Sequence, residues 1–447
     1  MNKQENPMAK KSINASLSRI IKKKNGKSID QDSGTVNSYL IGMNNGIPIC
    51  AEASACCWDV KLPDTYEGMA AYVSRRTKTG HTSVIEHSNM VMFLEIPKSF
   101  TDDLIFFLDN STYLESEVYK SDDNEEYYLI IGGSLRAFSD LYREFVVFDN
   151  RILNAVTNIL YTYADSAYFE DLFADGILDK DRFLSVEPDP SYIIGYMDMV
   201  DTDLFKIINM DSIEILYRNL FFINKDAAKK VRIHDLIKFT TITVLFKNMT
   251  RATTHQLVRH RNAITQESQR YVDYSEACFS SPAMFKPDKY NPDYKYPIRF
   301  GSSGIMHMNL EEIGNAICNI YEILRNPANS DNNNALMKED ARAYLPTNVQ
   351  CRKIYITFTF KKFLKFLNLR EDKHAQAEIR TYATSVGDWF RANNDIFTTK
   401  EICDKYTKPN SLNIDESLDY KFEEFVSGDE LTVDDYVRAL GLNESAD

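Results

Sequence analysis

"IKFTTITVLFKNMTRATTHQLVRHRNAITQESQRY", residues 237–271, changes character twice within one short stretch. The β-branched run IKFTTITVLF reads as a strand, because Ile, Thr, Val and Phe suit a pleated, half-buried surface. In TRATTHQLVRHR, Ala252, His255, Leu257 and Val258 fall at spacings that allow one helical face. RHRNAITQESQRY then crowds Arg259, His260, Arg261 and Arg270 together, at that helix's end or just beyond it. A strand delivering a helix that ends in cations places an anion near the junction.

Composition bounds that anion. The chain has 447 residues, 44% of them hydrophobic, enough for a large core and for more than one average domain. Its formal charge of -13 argues against broad nucleic-acid binding, so the cation cluster should serve a small, bounded anion such as a phosphate. Residues 1–30 carry eight Lys or Arg against two acids, whereas from Asn410 onward eleven acids face Lys421 and Arg438. Both ends read as solvated tails, with RNA or membrane contact by the basic leader as the less favoured reading. The first residues lack the apolar core of a signal peptide, and no apolar run is long enough to span a membrane. A cytoplasmic protein is expected. Seven cysteines without a CxxC pair fit reduced thiols and no structural zinc.

Further elements follow from pattern. "NMVMFLEIP" (89–97) reads as a strand and "SLRAFSDLYREFVVF" as a helical patch within an aromatic-rich, acidic stretch from about 101 to 240. No internal repeat is visible. Neither GxGxxG nor GxxxxGK occurs, so phosphate would be held by side chains, and the planar Arg fork matches phosphate oxygens bidentately. For an RHR triplet in isolation, salt bridges within an acidic chain are the more common use. "HTSVIEH" suggests a metal pair, but its spacing fits neither i, i+3 nor i, i+4 on a helix.

Taken together, the segments resemble the flavin-dependent thymidylate synthases. RHRNAITQESQRY resembles that family's signature of RHR, seven residues and Ser. "GHTSVIEHS" (80–88) resembles its GHxSxxEH segment, and "ASACCW" (53–58) the short helix before it. "ARAYLP" (341–346) and "FLNLREDKHAQAEIR" (366–380) resemble its ARxxLP and FLxLRxxxHAQxEI elements. The matches run in the family's order over about 46 to 100 and 241 to 400. This chain departs from the pattern in three places: six residues separate Arg261 from Ser268, Thr359 and Lys361 stand where Asn and Arg are usual, and 101–240 intervene.

The resemblance implies reductive methylation of dUMP to dTMP with methylenetetrahydrofolate, FAD as cofactor and NADPH as electron donor. It implies dUMP contacts from Gln256, Glu267, Ser268, Gln269, Arg270, Arg342 and Arg370. For Glu267, a carboxylate bound to ribose or to an arginine fits better than a general base. It also implies FAD contacts from Ser83, Arg259, His260, Arg261, Thr359, Lys361, Lys365 and His374, the last in a helix opening REDKHAQAEIR, with His81 near flavin and folate. No metal is expected. Cys278 lacks the flanking Pro and His of the classical cysteine-dependent enzyme, so ring activation falls to Arg370, a cation aimed at developing charge.

The implied fold is a mixed α/β (α+β) core, an antiparallel sheet built partly from NMVMFLEIP and ITVLFKNM and flanked by helices. Residues 101–240 would form a helical surface insertion whose ends lie close together. The implied organisation is a basic extension (1–45), a first catalytic part (46–100), the insertion (101–240), a second catalytic part (241–405) and an acidic tail (406–447). The family's homotetramers, with sites between subunits, imply a homo-oligomer. Two rivals are a nucleotide- and flavin-binding relative without turnover and a flavin- and folate-dependent RNA uridine methylase.

Overall fold

The computed structural model describes residues 35–393 except 184–191, 232, 276–278, 300, 303 and 326–334. The basic leader to residue 34, Cys278 and the acidic tail therefore lie outside the described residues.

Strand β1 (Asn37–Met43) leads into helices α1 (Gly46–Trp58) and α2 (Tyr66–Lys78). Strand β2 (Asn89–Pro97), helix α3 (Thr101–Asn110), strands β3 (Glu115–Lys120) and β4 (Glu126–Ser134), and helices α4 (Leu135–Phe145) and α5 (Arg151–Tyr163) follow. Then come β5 (Gly195–Asp201), β6 (Phe205–Asp211), α6 (Ile213–Ile223), α7 (Lys225–Lys230), β7 (Thr241–Thr250), α8 (Arg251–Leu257) and β8 (Ala263–Gln266). A hairpin of β9 (Tyr296–Arg299) and β10 (Ile305–Met308) precedes α9 (Leu310–Arg325), β11 (Gln350–Thr359), α10 (Phe360–Arg370) and α11 (Ala377–Ala392).

The mixed α/β class with antiparallel sheets flanked by helices holds, with one correction. NMVMFLEIP and ITVLFKNM belong to two different sheets, ordered β1-β2-β4-β3 and β5-β6-β7-β11-β8. Strand β2 has no free edge for β7, because β1 and β4 already take both of its hydrogen-bonding sides. Its nearly unbroken apolar run has a physical reason. Met90, Met92 and Leu94 pack towards α1 to α5, while Val91 and Phe93 face the core shared with the second sheet. A strand buried on both faces needs no polar alternation.

Residues 101–240 are not a helical surface insertion. They supply β3 and β4 to the first sheet and β5 and β6 to the second. Nor are the segment's ends close: Asn89 Nδ2 donates to the Phe239 carbonyl at 2.9 Å, so residue 240 lies at the start of β2 and residue 100 beyond its far end. At about 3.4 Å per residue, β2 holds them roughly 25 Å apart.

A repeat invisible in the sequence is plain in the topology. β1-β2-β4-β3 and β6-β7-β11-β8 have the same order, the same antiparallel pairings and the same helices after the corresponding strands. Each first strand shifts register at the same place, between Leu40 and Gly42 and between Ile207 and Asn209. The packing is reciprocal, since α1 places Ile49, Ala53 and Cys56 on the second sheet's Ile208, Leu245 and Tyr355, and Asn219 of α6 donates to the Ile41 carbonyl of β1 at 2.9 Å.

Candidate active site

Helix α8 is anchored before it reaches the cations. Thr250 caps it by accepting from the Thr253 N–H at 3.2 Å. The buried Glu378 carboxylate accepts from Thr250 N (2.7 Å), Thr250 Oγ1 (2.6 Å) and Thr253 Oγ1 (2.7 Å), tying α8 to α11. The chain then tightens into a 3-10 turn, Val258–His260, and ends it at Arg261 with φ 51° and ψ 55°. That left-handed conformation is uncommon outside glycine. It redirects the chain into β8, where Ala263 pairs with Thr357 of β11.

His260 is half-buried, with its ring edge against Phe366 at 5.2 Å between centroids. Arg370, the last residue of α10, donates from Nε to His260 Nε2 at 2.9 Å. Arginine Nε can only donate, so Nε2 accepts and the ring is neutral with its proton on Nδ1. Burial, then the charges of Arg370 and Lys365, push the His260 pKa down to about 4. Burial and the charge of Arg259 also lower that of Arg370.

Among the described residues, Arg259, Arg261, Lys361, Lys365 and Arg370 form no ion pair with a carboxylate, whereas Arg143, Arg352 and Arg391 each pair with two. Uncompensated cations in a chain of net charge -13 fit an external anion better than internal neutralisation. Gln256 joins this group, its amide donating to Gln376 Oε1. Thr359 lies at its edge as the cap of α10 and accepts from Lys362 N at 3.3 Å. His374 is exposed and stands in the turn between α10 and α11, not in a helix as expected. Its N–H bonds Asp372 Oδ1 at 2.7 Å, a side-chain turn that competes with helix.

A second group gathers around Ser268. Ser268 N donates to the Cys57 carbonyl at 3.2 Å, and Arg270 N donates to Ser268 Oγ at 3.3 Å. Arg270 pairs with Glu339 at 3.3 Å, and Arg342 Nε donates to the Glu339 carbonyl at 3.0 Å, so the expected phosphate arginines do converge. Tyr271 stacks on Trp58 (5.5 Å, 25°), Trp58 meets His81 edge-on (5.5 Å, 74°), and Arg76 lies 3.9 Å over the Trp58 ring. Gln269 is half-buried, and Ser83 is exposed on the 3-10 turn Thr82–His87.

Glu267 is the most deeply buried of the expected substrate contacts. It is only 2% exposed, and its carboxylate accepts from Tyr274 Oη (2.9 Å), Arg352 N (3.1 Å) and Arg352 Nε (2.7 Å). The arginine partner was expected. Its carboxylate is thus held by three protein donors at the wall of the Ser268 group.

No hydrogen bond, ion pair or ring contact among the described residues joins the His260 group to the Ser268 group. β8 runs between them, so Arg261 and Ser268 are roughly 20 Å apart by strand rise. His87 buttresses that strand, its Nδ1 lying 2.9 Å from Thr357 Oγ1 and its Nε2 2.9 Å from Thr265 Oγ1. Burial lowers its pKa to about 3, so it stays neutral. No group of three metal-ligating side chains occurs among the described residues. The described thiols at Cys50, Cys56, Cys57 and Cys351 are all pushed away from thiolate by burial, Cys351 up to about 11.

Sequence reasoning missed Arg352, Gln376, Glu378 and the Arg76–Trp58–Tyr271 stack. Trp58, Gln376 and Glu378 lie inside motifs already singled out, so that signal was present; Arg352 and Arg76 stand out only through their contacts.

Residues 222–393 match the family described as "Thymidylate synthase complementing protein". A flavin-dependent thymidylate synthase of Kosmotoga olearia is 31% identical over 143 residues, 31% of this chain and 57% of the relative. That of Corynebacterium diphtheriae is 29% identical over 154 residues, 33% of this chain and 56% of the relative. That of Pyrococcus abyssi is 26% identical over 196 residues, 43% and 68% of the two chains. The chain thus spans a little over half the length of the first two. A crystal structure of thymidylate synthase X from Helicobacter pylori with FAD and dUMP aligns at a TM-score of 0.27 and 13% identity, covering 44% of this chain and 83% of that one.

Proposed function

We propose that the chain is a flavin-dependent thymidylate synthase, a reading supported by the family match over residues 222–393, and that it converts dUMP to dTMP by reductive methylation, with FAD as cofactor and methylenetetrahydrofolate and NADPH as co-substrates. One observation carries the reading: Arg259, Lys365 and Arg370 gather around a neutral histidine, and neither they nor the neighbouring Arg261 and Lys361 have a carboxylate partner among the described residues. Such a set fits the pyrophosphate of FAD, with Arg259 and Arg261 offering bidentate forks and Lys361 and Lys365 point charges. Reduced FAD supplies the hydride when bound.

The residues of this chain orient and polarise. His260 holds Nε of Arg370, which leaves both Nη groups for a pyrimidine ring whose C5 must become electron-rich. A fixed cation there stabilises developing charge without reorganising at the moment of reaction. No thiolate is required, and the described thiols are poorly placed to supply one. Arg270, Arg342, Ser268 and Gln269 would hold the nucleotide phosphate, with His81 beside the folate. Because these lie roughly 20 Å of strand from Arg370, a site using both groups needs a second copy of the chain. Joining the copy's Arg270 to substrate phosphate exchanges its exposed pairing with Glu339 for a stronger one.

The non-catalytic reading is favoured by the shortened loop, whose Ser268 and Arg270 are already engaged internally. The deciding experiment incubates purified protein with FAD, dUMP, methylenetetrahydrofolate and NADPH and measures dTMP. Formation of dTMP is expected. Binding of both FAD and dUMP without dTMP would establish the non-catalytic relative instead.

A further inference from the structure

The repeat extends to single hydrogen bonds. In the first half Asn89 pairs with Ser134, the Leu135 N–H donates to the Ser88 carbonyl at 3.1 Å, and the Asn89 N–H donates to Asn44 Oδ1 at 2.9 Å. In the second half Thr241 pairs with Thr359, the Phe360 N–H donates to the Thr240 carbonyl at 2.9 Å, and the Thr241 N–H donates to Asp211 Oδ2 at 2.7 Å. Ser134 and Thr359 cap helices of equal length, so α4 maps onto α10 residue for residue. The crossings correspond too. His87 lies 2.9 Å from Thr357 Oγ1, and at the matching place Phe239 covers Gly132, where an added Cβ would come within 2.9 Å of the ring.

That alignment identifies what each half carries at the anion site. Arg370 corresponds to Phe145 and Lys365 to Asp140. Lys361 corresponds to Arg136, which is consumed by Glu86 at 2.6 Å and Asp140 at 3.4 Å. Between β2 and β3, residues 98–114 contain three aspartates and a single cation, Lys98 immediately after β2, where the second half has the RHR segment. The fold persists while one cation gives way to an acid, one to a ring, and the third is neutralised by its neighbours. Loss of the free cations at these matched positions is not expected if both sites bind phosphate.

We infer that the chain is a fused pair of like folds, in which residues 37–163 have given up their own dinucleotide site and serve as a resident partner for the site of residues 205–392. The inference rests on the flavin reading for the ligand's identity, though not for the pairing. The partner's contribution is structural and directional: α1 covers the second sheet, and His87 fixes β8 immediately after Arg261.

The full chain is titrated with FAD by equilibrium dialysis, and bound FAD is counted per chain. One equivalent is expected, falling to zero in Arg259→Ala/Arg261→Ala and staying at one in Arg136→Ala. Two equivalents, or loss of FAD in Arg136→Ala with the fold intact by circular dichroism, would overturn the vacated site. In parallel, a protease recognition sequence replaces residues 184–191 of the full chain, and the purified protein is cut. The two pieces should stay together at one to one under native conditions, and separation into two folded pieces would overturn the partnership. A wild type that binds no FAD refutes the flavin reading, and the cut chain then decides the pairing by itself.

Discussion

Helices α4 and α10 begin on equivalent caps, run for eleven residues each, and bury Leu135, Phe138, Ser139 and Leu141 where the other buries Phe360, Phe363, Leu364 and Phe366. Their remaining faces differ at the positions that matter for an anion. One ends in Phe145 among the rings of Phe106 and Phe148, and the other ends in Arg370 on His260. Buried positions carry the fold, at about 1.5–3 kcal/mol for each large apolar side chain. The chemistry rests on outward positions that the core does not constrain, so one half can lose it without losing its shape.

The largest expected asymmetry is catalytic. Arg370→Ala should lower dTMP formation by about a hundredfold to a thousandfold, the usual cost of removing one preorganised donor, while FAD absorbance persists. Its counterpart Phe145→Ala should lower the melting temperature and leave turnover per folded chain within about twofold. Equal losses of turnover would break the comparison.

Next in size is binding. Arg259→Ala with Arg261→Ala should strip FAD from the purified protein without unfolding it, because neither side chain is paired with a carboxylate among the described residues. A full FAD complement, read from the visible spectrum, would remove these residues from the cofactor site.

In acid response the two halves should agree, each carrying one histidine that acidification penalises. His87 and His260 have folded pKa values of about 3 and about 4, below the ordinary 6.5, so the folded state binds fewer protons than the unfolded one between these values. Their contribution is present above about pH 6.5 and is lost progressively as pH falls towards 4. Denaturation midpoints measured from pH 7.5 to 4.5 should show that fall, and His87→Gln, which keeps a donor and an acceptor for Thr357 and Thr265, should flatten it. A variant with the same slope as wild type would exclude His87 as a source.

The smallest effect concerns the bond that Asn44 makes in one half and Asp211 in the other. Burial raises the Asp211 pKa to about 6, against hydrogen bonds from Thr241 and Asn209 that oppose the shift. A raised carboxylate pKa means stability present below about 4 and lost as pH rises through 6. Asp211→Asn copies the first half, and Asn209, whose Oδ1 has no partner, can flip to accept from the new amide. The midpoint should rise by a few degrees at pH 7.5 and hardly change at pH 4. A fall at pH 7.5 would show that the charge is needed.

Local information was enough for much of this molecule. The strands Asn89–Pro97 and Thr241–Thr250, the helix Leu135–Phe145 and the position of Arg259 at a helix end were all legible, because each follows from side-chain period, branching and caps within one segment. The motifs that bring Gln256, Arg259, His260, Arg261 and Arg370 into one family pattern were legible for the same reason.

Pairing was not legible. Which strand lies beside which depends on contacts between residues far apart in the chain, and two strands with similar apolar runs are interchangeable until their edges are taken. Only the tertiary structure put NMVMFLEIP and ITVLFKNM in separate sheets, buried Glu267 against Arg352, and aligned Asp140 with Lys365. The repeat escaped the sequence because a shared topology requires hydrogen-bond order and apolar burial, which many side chains satisfy. The outward residues that would betray common letters are those at which the two halves have diverged, as Asp140 from Lys365 and Phe145 from Arg370.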